Sequence, residues 1–406
     1  MKYKTHQLPN GIRLIHQEVQ SPVAHCGIII NTGSRDETSE EHGLAHFIEH
    51  VLFKGTTKRK AWHIISRLED VGGDLNAYTT KEETCIHASF LKEYTERAME
   101  LISDLVFNSV FPPKEVEKEK DIVLDEINSY LDNPSELIFD EFEELIYEHN
   151  PIGRSILGTP ASVKSFNKEM VQSFMQRNYH TDQMVISSVG QIEFASMVKW
   201  FSKYFEKIPA NLRNYKRAEI SGYTASTRTV NKDTFQAHCI IGNTAYALDD
   251  SRRIGLHLLN NILGGPNMNS RLNLSLRERS GYTYSVEATY TPYTNSGSLV
   301  IYFGTDKQYL QRSTELAMKE INTLRNRKLG SLQLFRAQRQ LIGQLAISSE
   351  NNESQMLSIG KSFLIFNKVD SLETINKKIE ALTAAQLMEI ANDILEEKKL
   401  SVLVYQ

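Results

Sequence analysis

His46 and His50 stand four positions apart with Glu49 between them, in the run His46-Phe47-Ile48-Glu49-His50. On a helix that spacing puts both imidazoles on one face, a turn apart. Two imidazoles so placed can reach one metal ion at roughly 2.0–2.1 Å each, the usual zinc–nitrogen distance. Glu49 projects beside His50, where it can act on a water at the metal rather than on the metal itself. Two nitrogen ligands, a carboxylate base and an open coordination position are the minimum set for metal-assisted hydrolysis. A pair of histidines can also decorate a buried helix without any function. The intervening glutamate and the acids found further on weigh for a site.

The elements that must position these groups can be read around them. Thr38 and Glu41 have capping-box spacing, Leu44, Phe47, Ile48, Val51 and Leu52 form an apolar stripe, and Gly55 is a natural stop. A second helix is expected over 60–71, broken by Gly72-Gly73, and 74–90 alternates as two strands joined near Lys81-Glu82-Glu83. Residues 94–107 read as an amphipathic helix and 114–131 as a long charged one, stopped by Asp132-Asn133-Pro134. A charge-rich helix is usually a solvated face. Here Ile122, Val123, Ile127 and Tyr130 give it an apolar side, and Glu119 and Glu126, seven residues apart, share a face. Glu126 is therefore a candidate third ligand with Glu119 a layer behind, although spacing alone does not single them out among so many acids. The order H-x-x-E-H is itself the inverted form of the zinc-protease motif.

The chain of 406 residues exceeds the usual limit of one core, so two domains are expected: 1–210 carrying the metal helix, a polar linker at 211–226, and 227–406. The fold class expected is α+β, each domain an antiparallel-rich sheet packed with helices. Residues 1–19 alternate around Pro9-Asn10-Gly11 as a hairpin, 24–31 and 184–190 read as buried strands, and further helices fill 137–205. The second half repeats the first in order at an offset of about 210 residues. Residues 256–265 echo the metal helix, 276–281 echo 68–73, and 309–324 echo 94–107. In the repeat, His257 lacks a second histidine and a glutamate and reads as an ordinary packed residue. Arg277 and Tyr284 flank Gly281, where a helix turns into a strand. They can bind a peptide carbonyl and donate to a developing oxyanion, or be a surface ion pair and a strand aromatic.

Apolar residues at 40%, charged residues at 24% and a net charge of −4 describe an ordinary soluble chain with no basic tract for nucleic acid. Cys26, Cys85 and Cys239 are widely separated, which argues against a disulfide framework and for buried free thiols. No signal peptide, transit sequence or membrane-length apolar run is read, so no membrane is expected and a cytoplasmic (cytosolic) location is.

These residues resemble the pitrilysin-type zinc metallopeptidases, a family that includes mitochondrial processing peptidase, insulin-degrading enzyme and many smaller bacterial members. The resemblance covers essentially the whole chain. It is carried by His-Gly-Leu-Ala-His-Phe-Ile-Glu-His (42–50) with Leu-Phe-Lys-Gly-Thr (52–56), and by Glu-Lys-Asp-Ile-Val-Leu-Asp-Glu-Ile (119–127). Gly-Gly-Pro-Asn-Met-Asn-Ser-Arg-Leu (264–272) and Leu-Arg-Glu-Arg-Ser-Gly-Tyr-Thr-Tyr-Ser-Val (276–286) complete it. It implies His46, His50 and Glu126 as ligands of one Zn2+ per chain, Glu49 as general base and Glu119 as an acid orienting a ligand. It implies Asn76-Ala77 as the edge strand that pairs with substrate backbone, and Arg277 with Tyr284 as a substrate clamp. Tyr282 stands where the family commonly has a small apolar residue.

The activity implied is endopeptidase cleavage of unfolded peptides inside a chamber formed by two chains, most simply a homodimer in which the clamp of one chain faces the zinc of the other. The alternative within the same family is a non-catalytic scaffold, or a subunit that needs a distinct partner chain. Relatives of that kind typically have eroded ligands or clamps, whereas this sequence keeps each of them.

Overall fold

The computed structural model describes residues 3–406. In chain order it runs β1 (Tyr3–Gln7), β2 (Arg13–Glu18), β3 (Val23–Ile30), α1 (Leu44–Leu52), α2 (Ala61–Glu69), β4 (Asp74–Thr79), β5 (Thr84–Leu91), α3 (Thr95–Asn108) and α4 (Pro113–Leu131). Then come α5 (Pro134–Ile146), α6 (Pro160–Ser165), α7 (Lys168–Asn178), β6 (Met184–Gly190), α8 (Phe194–Phe205), β7 (Thr227–Val230) and β8 (Gln236–Thr244). The remainder is α9 (Arg253–Gly264), β9 (Thr283–Pro292), β10 (Gly297–Asp306), α10 (Leu310–Asn326), α11 (Ser331–Ser348), α12 (Asn352–Phe366), α13 (Leu372–Glu380), α14 (Ala384–Ile394) and β11 (Ser401–Tyr405).

The fold is α+β, with one sheet in each of two compact units. The first sheet has the order β1-β2-β6-β3-β5-β4 and the second β7-β11-β8-β10-β9. In both, a parallel pair (β2 with β6, β7 with β11) leads into antiparallel neighbours. Five strands therefore correspond one to one, β2, β6, β3, β5 and β4 matching β7, β11, β8, β10 and β9. The duplication expected from the offset of motifs is a duplication of topology. The hairpin read around Pro9-Asn10-Gly11 forms, with Tyr3 paired to Gln17; Met1 and Lys2 lie outside the described residues.

Strand alternation gives each sheet two buried faces. In the first unit Cys26, Ile28, Ile86, Ala88 and Ile186 pack under α1, α3 and α8. Ile15, Ile29, Cys85, Val185 and Val189 face the other way and are covered by Met356, Ile359, Phe363 and Leu364 of α12. In the second, Ile241, Ala288, Leu299 and Phe303 pack against α9, α10 and α14. On its other face Ile240, Val300, Tyr302 and Leu403 lie under Ile138, Phe142 and Ile146 of α5.

Each unit thus takes one covering helix from the other half of the chain. The first comprises 1–128, 154–217 and 347–371, and the second 129–153, 218–346 and 372–406. One cut at 211–226 does not describe that interleaving. Residues 211–217 belong with the first unit, where Arg217 makes a two-pronged contact with Asp36 (Nε to Oδ1 2.9 Å, NH2 to Oδ2 2.7 Å), both side chains under a tenth exposed. A polar, arginine-rich stretch looks like solvated linker until its cations find buried carboxylates. Among the described residues no helix is long and apolar enough to cross a membrane.

Candidate metal centre

The metal helix is α1, and its apolar stripe is buried as expected: Leu44, Phe47, Ile48, Val51 and Leu52 are all inaccessible. Its ends differ from the expected ones. Thr38 and Glu41 do pair, the Thr38 N–H donating to Glu41 Oε2 at 3.0 Å, but they close a turn ahead of the helix. The residue at the cap is Gly43, at φ 93°, and the carboxylate of Glu37 accepts the N–H groups of Gly43 and Ala45 at 2.9 and 2.8 Å. Burial pushes the Glu37 carboxyl well above its ordinary range, against those two contacts. Gly158, at φ 79°, passes so close that a Cβ there would lie 2.4 Å from the His42 carbonyl oxygen. At the other end the helix stops at Leu52, before Gly55.

The expected long helix is α4, with Val116, Glu119, Val123 and Ile127 as its buried side. Ile122, expected on that side, is half exposed instead. The 3.6-residue repeat places 116, 119, 123 and 127 in one row and turns 122 away.

Among the described residues, one set of three His, Cys, Asp or Glu side chains brings a donor atom from each within 4.8 Å of the others: His46, His50 and Glu126. His50 Nε2 is 3.4 Å from Glu126 Oε2, and His46 Nε2 is 3.7 Å from Glu126 Oε1. Donors about 2.0–2.1 Å from a tetrahedral ion stand about 3.3–3.4 Å from one another, so this spacing fits zinc with small adjustments. The two rings lie 4.7 Å apart, steeply inclined. Burial, reinforced by neighbouring His50, holds His46 down to about 4, which keeps it a neutral donor. Burial acts the same way on His50, but the carboxylates of Glu119 and Glu126 outweigh it and hold that ring up to about 9, so a metal ion bound there would take the place of its Nε2 proton.

Glu119 is buried behind the site. Its Oε1 is 3.0 Å from His50 Nδ1 and its Oε2 is 2.7 Å from Lys54 Nζ. Burial works to raise the Glu119 carboxyl, and these two contacts win and hold it low. Glu49 is raised by burial, and its Oε2 is buried without a hydrogen-bond partner. Buried carboxylate oxygens are normally hydrogen-bonded, so this one has accepting capacity to spare for a water.

Asn76 and Ala77 sit on β4, the last strand of the first sheet, whose outer edge pairs with no strand among the described residues. Their register opposite His87 and Ile86 sends the two side chains to opposite faces. Ala77 packs into the core shared with α1, whereas Asn76 is exposed and donates to Asp74 Oδ2 at 2.6 Å. Arg277 and Tyr284 come together in the second unit, the guanidinium 5.4 Å from the ring centroid, with Tyr284 82% exposed. They line one cleft with Gly264, Gly265, Pro266 and Asn273, beside β9, the edge strand of the second sheet. His257 rests on the Tyr290 ring at 4.6 Å. The three cysteines are free and buried.

Two contributors were missed from the sequence, Glu37 and Lys54. Lys54 had a signal: it continues the step of four from His46 and His50. Glu37 had none, because an acid seven residues before a helix looks like any other loop acid.

A sequence profile described as Insulinase (Peptidase family M16) matches residues 13–160, and one described as Peptidase M16 inactive domain matches 165–341. An uncharacterized zinc protease of Bacillus subtilis, YmxG, is 33% identical over 400 residues, spanning 97% of this chain and 96% of that one. A zinc protease of Rickettsia felis, also uncharacterized, is 32% identical over 381 residues, 93% and 91% of the two chains. In fold, the chain matches a protease from Helicobacter pylori with a TM-score of 0.92 at 17% identity, covering 100% of this chain and 99% of the other. A crystal structure of a peptidase M16 inactive domain from Pseudomonas fluorescens also scores 0.92, at 21% identity, covering 100% and 98%.

Proposed function

Because the chain belongs to the insulinase family of peptidases, family M16, we propose that it is a zinc-dependent endopeptidase acting on unfolded peptides or protein segments in the cytosol. The observation that carries this reading is the convergence of His46, His50 and Glu126 from α1 and α4 at a spacing that fits zinc with small adjustments. Those three residues would hold one zinc ion per chain. A zinc ion there supplies Lewis-acid polarisation of a carbonyl and makes water acidic enough to attack near neutral pH.

The chain's own residues do the rest. Glu49 takes the proton from the attacking water and passes it to the leaving amine. Glu119 keeps His50 oriented by accepting from Nδ1. The open edge of β4, at Asn76 and Ala77, receives the substrate backbone as an added strand, which favours extended, unfolded segments. Arg277 grips a substrate carbonyl or carboxylate, and Tyr284 donates to the oxyanion, a contribution of roughly 3–4 kcal/mol for a good donor. Two chains pair round a closed chamber so that the clamp of one serves the metal site of the other.

Glu49→Gln is expected to keep one equivalent of zinc and lose turnover by about 10²–10⁴-fold. Metal analysis beside a quenched-peptide assay reads both, and near-normal cleavage would remove Glu49 from the mechanism. For the shared site, chains carrying Glu49→Gln are mixed with chains carrying Tyr284→Phe. Recovered activity in the mixed dimer supports sharing between chains, and none in demonstrated heterodimers refutes it.

A further inference from the structure

Lys54 lies two residues past the end of α1. Its ammonium is 2.7 Å from Glu119 Oε2, while Glu119 Oε1 is 3.0 Å from His50 Nδ1. Each oxygen of that carboxylate is thus engaged by a different partner, and Glu119 is only 4% exposed. The other histidine is treated differently: His46 Nδ1 is buried with no hydrogen-bond partner. Of the two imidazoles, His50 is the one held from behind, and the hold runs through Glu119 to Lys54.

We propose that Lys54 is a positioning residue of the metal centre: by pinning Glu119 it fixes the His50 ring with Nδ1 toward Glu119 and Nε2 toward Glu126, and so retains the metal. The proposal rests on reading His46, His50 and Glu126 as the ligands. The Lys54 side chain is 26% exposed and that of Glu119 5%, so this is not a surface ion pair of the kind that contributes little. A carboxylate that buried, with one of its two contacts removed, is free to turn to another rotamer and let the ring go with it. Outer partners of ligating histidines commonly account for 10–100-fold in metal affinity.

The sign of the effect separates positioning from charge. Deleting a cation near a divalent ion would, by relief of Coulomb repulsion alone, tighten the metal. Loosening Glu119 would release it.

The experiment compares zinc-loaded full-length chains carrying Lys54→Met or Lys54→Arg with the parent. Zinc loss to a chelating dye is followed, and thermal unfolding of the metal-free forms is recorded beside it. Lys54→Met is expected to hold zinc about 10–100-fold more weakly, with Lys54→Arg close to the parent and the unfolding temperatures similar. Zinc held as tightly in Lys54→Met as in the parent, or more tightly, overturns the proposal. If Lys54→Met does not fold, Lys54→Gln is read in the same way. Should the parent take up no zinc, or Glu126→Ala take up as much as the parent, the ligand reading itself has failed and the role of Lys54 falls with it.

Discussion

At the scale of single residues, the proposed metal site is a contest among acids. Helix α4 offers Glu115, Glu117, Glu119, Asp121, Asp125 and Glu126, and the spacing of 119 and 126 marks them no more firmly than several other pairs. Packing separates them. Val116, Glu119, Val123 and Ile127 form the buried row, so Glu119 is drawn behind the site, while Glu126 stays on the accessible side with its oxygens 3.4 and 3.7 Å from the two imidazoles. The pair His46/His50 was legible because a four-residue step has one meaning on a helix. Spacing made Glu126 only one candidate for a third ligand, and the resemblance rather than the spacing singled it out, because the choice depends on which face of a distant helix is buried. Glu126→Ala is therefore expected to leave less than one equivalent of zinc after desalting, and to lose the stabilisation zinc confers on the parent. That stabilisation is about 2.7 kcal/mol at a free metal concentration one hundred times Kd, seen as a rise in Tm on adding zinc to the stripped protein. An undiminished rise in Glu126→Ala would disqualify it as a ligand.

At the scale of elements, the metal helix is short, and its entry is built from outside. The Thr38–Glu41 pair has the right spacing for a cap and forms the right hydrogen bond, yet it sits a turn too early. What starts α1 is Glu37, reaching forward to two backbone N–H groups, together with the left-handed Gly43 and the close approach of Gly158. Local pattern finds caps made by near neighbours. It does not see one made by a residue six and eight positions back, or by a loop more than a hundred residues on. Glu37→Ala strands the Gly43 and Ala45 donors in a buried site, at a cost of about 1–3 kcal/mol for each donor left without a partner. The expected outcome is a lower midpoint of chemical denaturation with weaker zinc retention, since the first turn carries His46. Gly158→Ala should act similarly, by forcing a Cβ against the His42 carbonyl at a positive φ that alanine resists. A denaturation midpoint within error of the parent for both variants would show that α1 starts without these contacts.

At the scale of the molecule, the duplication was visible as repeated motifs, but the exchange of α5 and α12 was not. Nothing local in either helix says which sheet it will cover, since each has an apolar side that would suit both. The contacts that decide it are long-range. Gly360 on α12 passes so close that a Cβ would lie 2.5 Å from Ile29 Cδ1 and 2.7 Å from Ser187 Cβ, and the Ser187 hydroxyl donates to the Met356 carbonyl at 2.6 Å. On the second sheet the Tyr147 hydroxyl, just past α5, donates to the Gly297 carbonyl at 2.6 Å. Separate expression of 1–210 and 211–406 tests this arrangement. The first fragment lacks Met356, Ile359, Phe363 and Leu364, four side chains whose burial contributes on the order of 6–12 kcal/mol at about 1.5–3 each, as an upper estimate. That is comparable to the whole stability of a typical domain, about 5–15 kcal/mol. Each fragment alone should therefore bind a hydrophobic dye and lack a cooperative unfolding transition, while co-expression should return a soluble pair that unfolds cooperatively and takes up zinc. A fragment 1–210 that folds cooperatively on its own would mean that α12 covers a sheet already stable without it, and that the exchange follows from the duplication without holding the halves together.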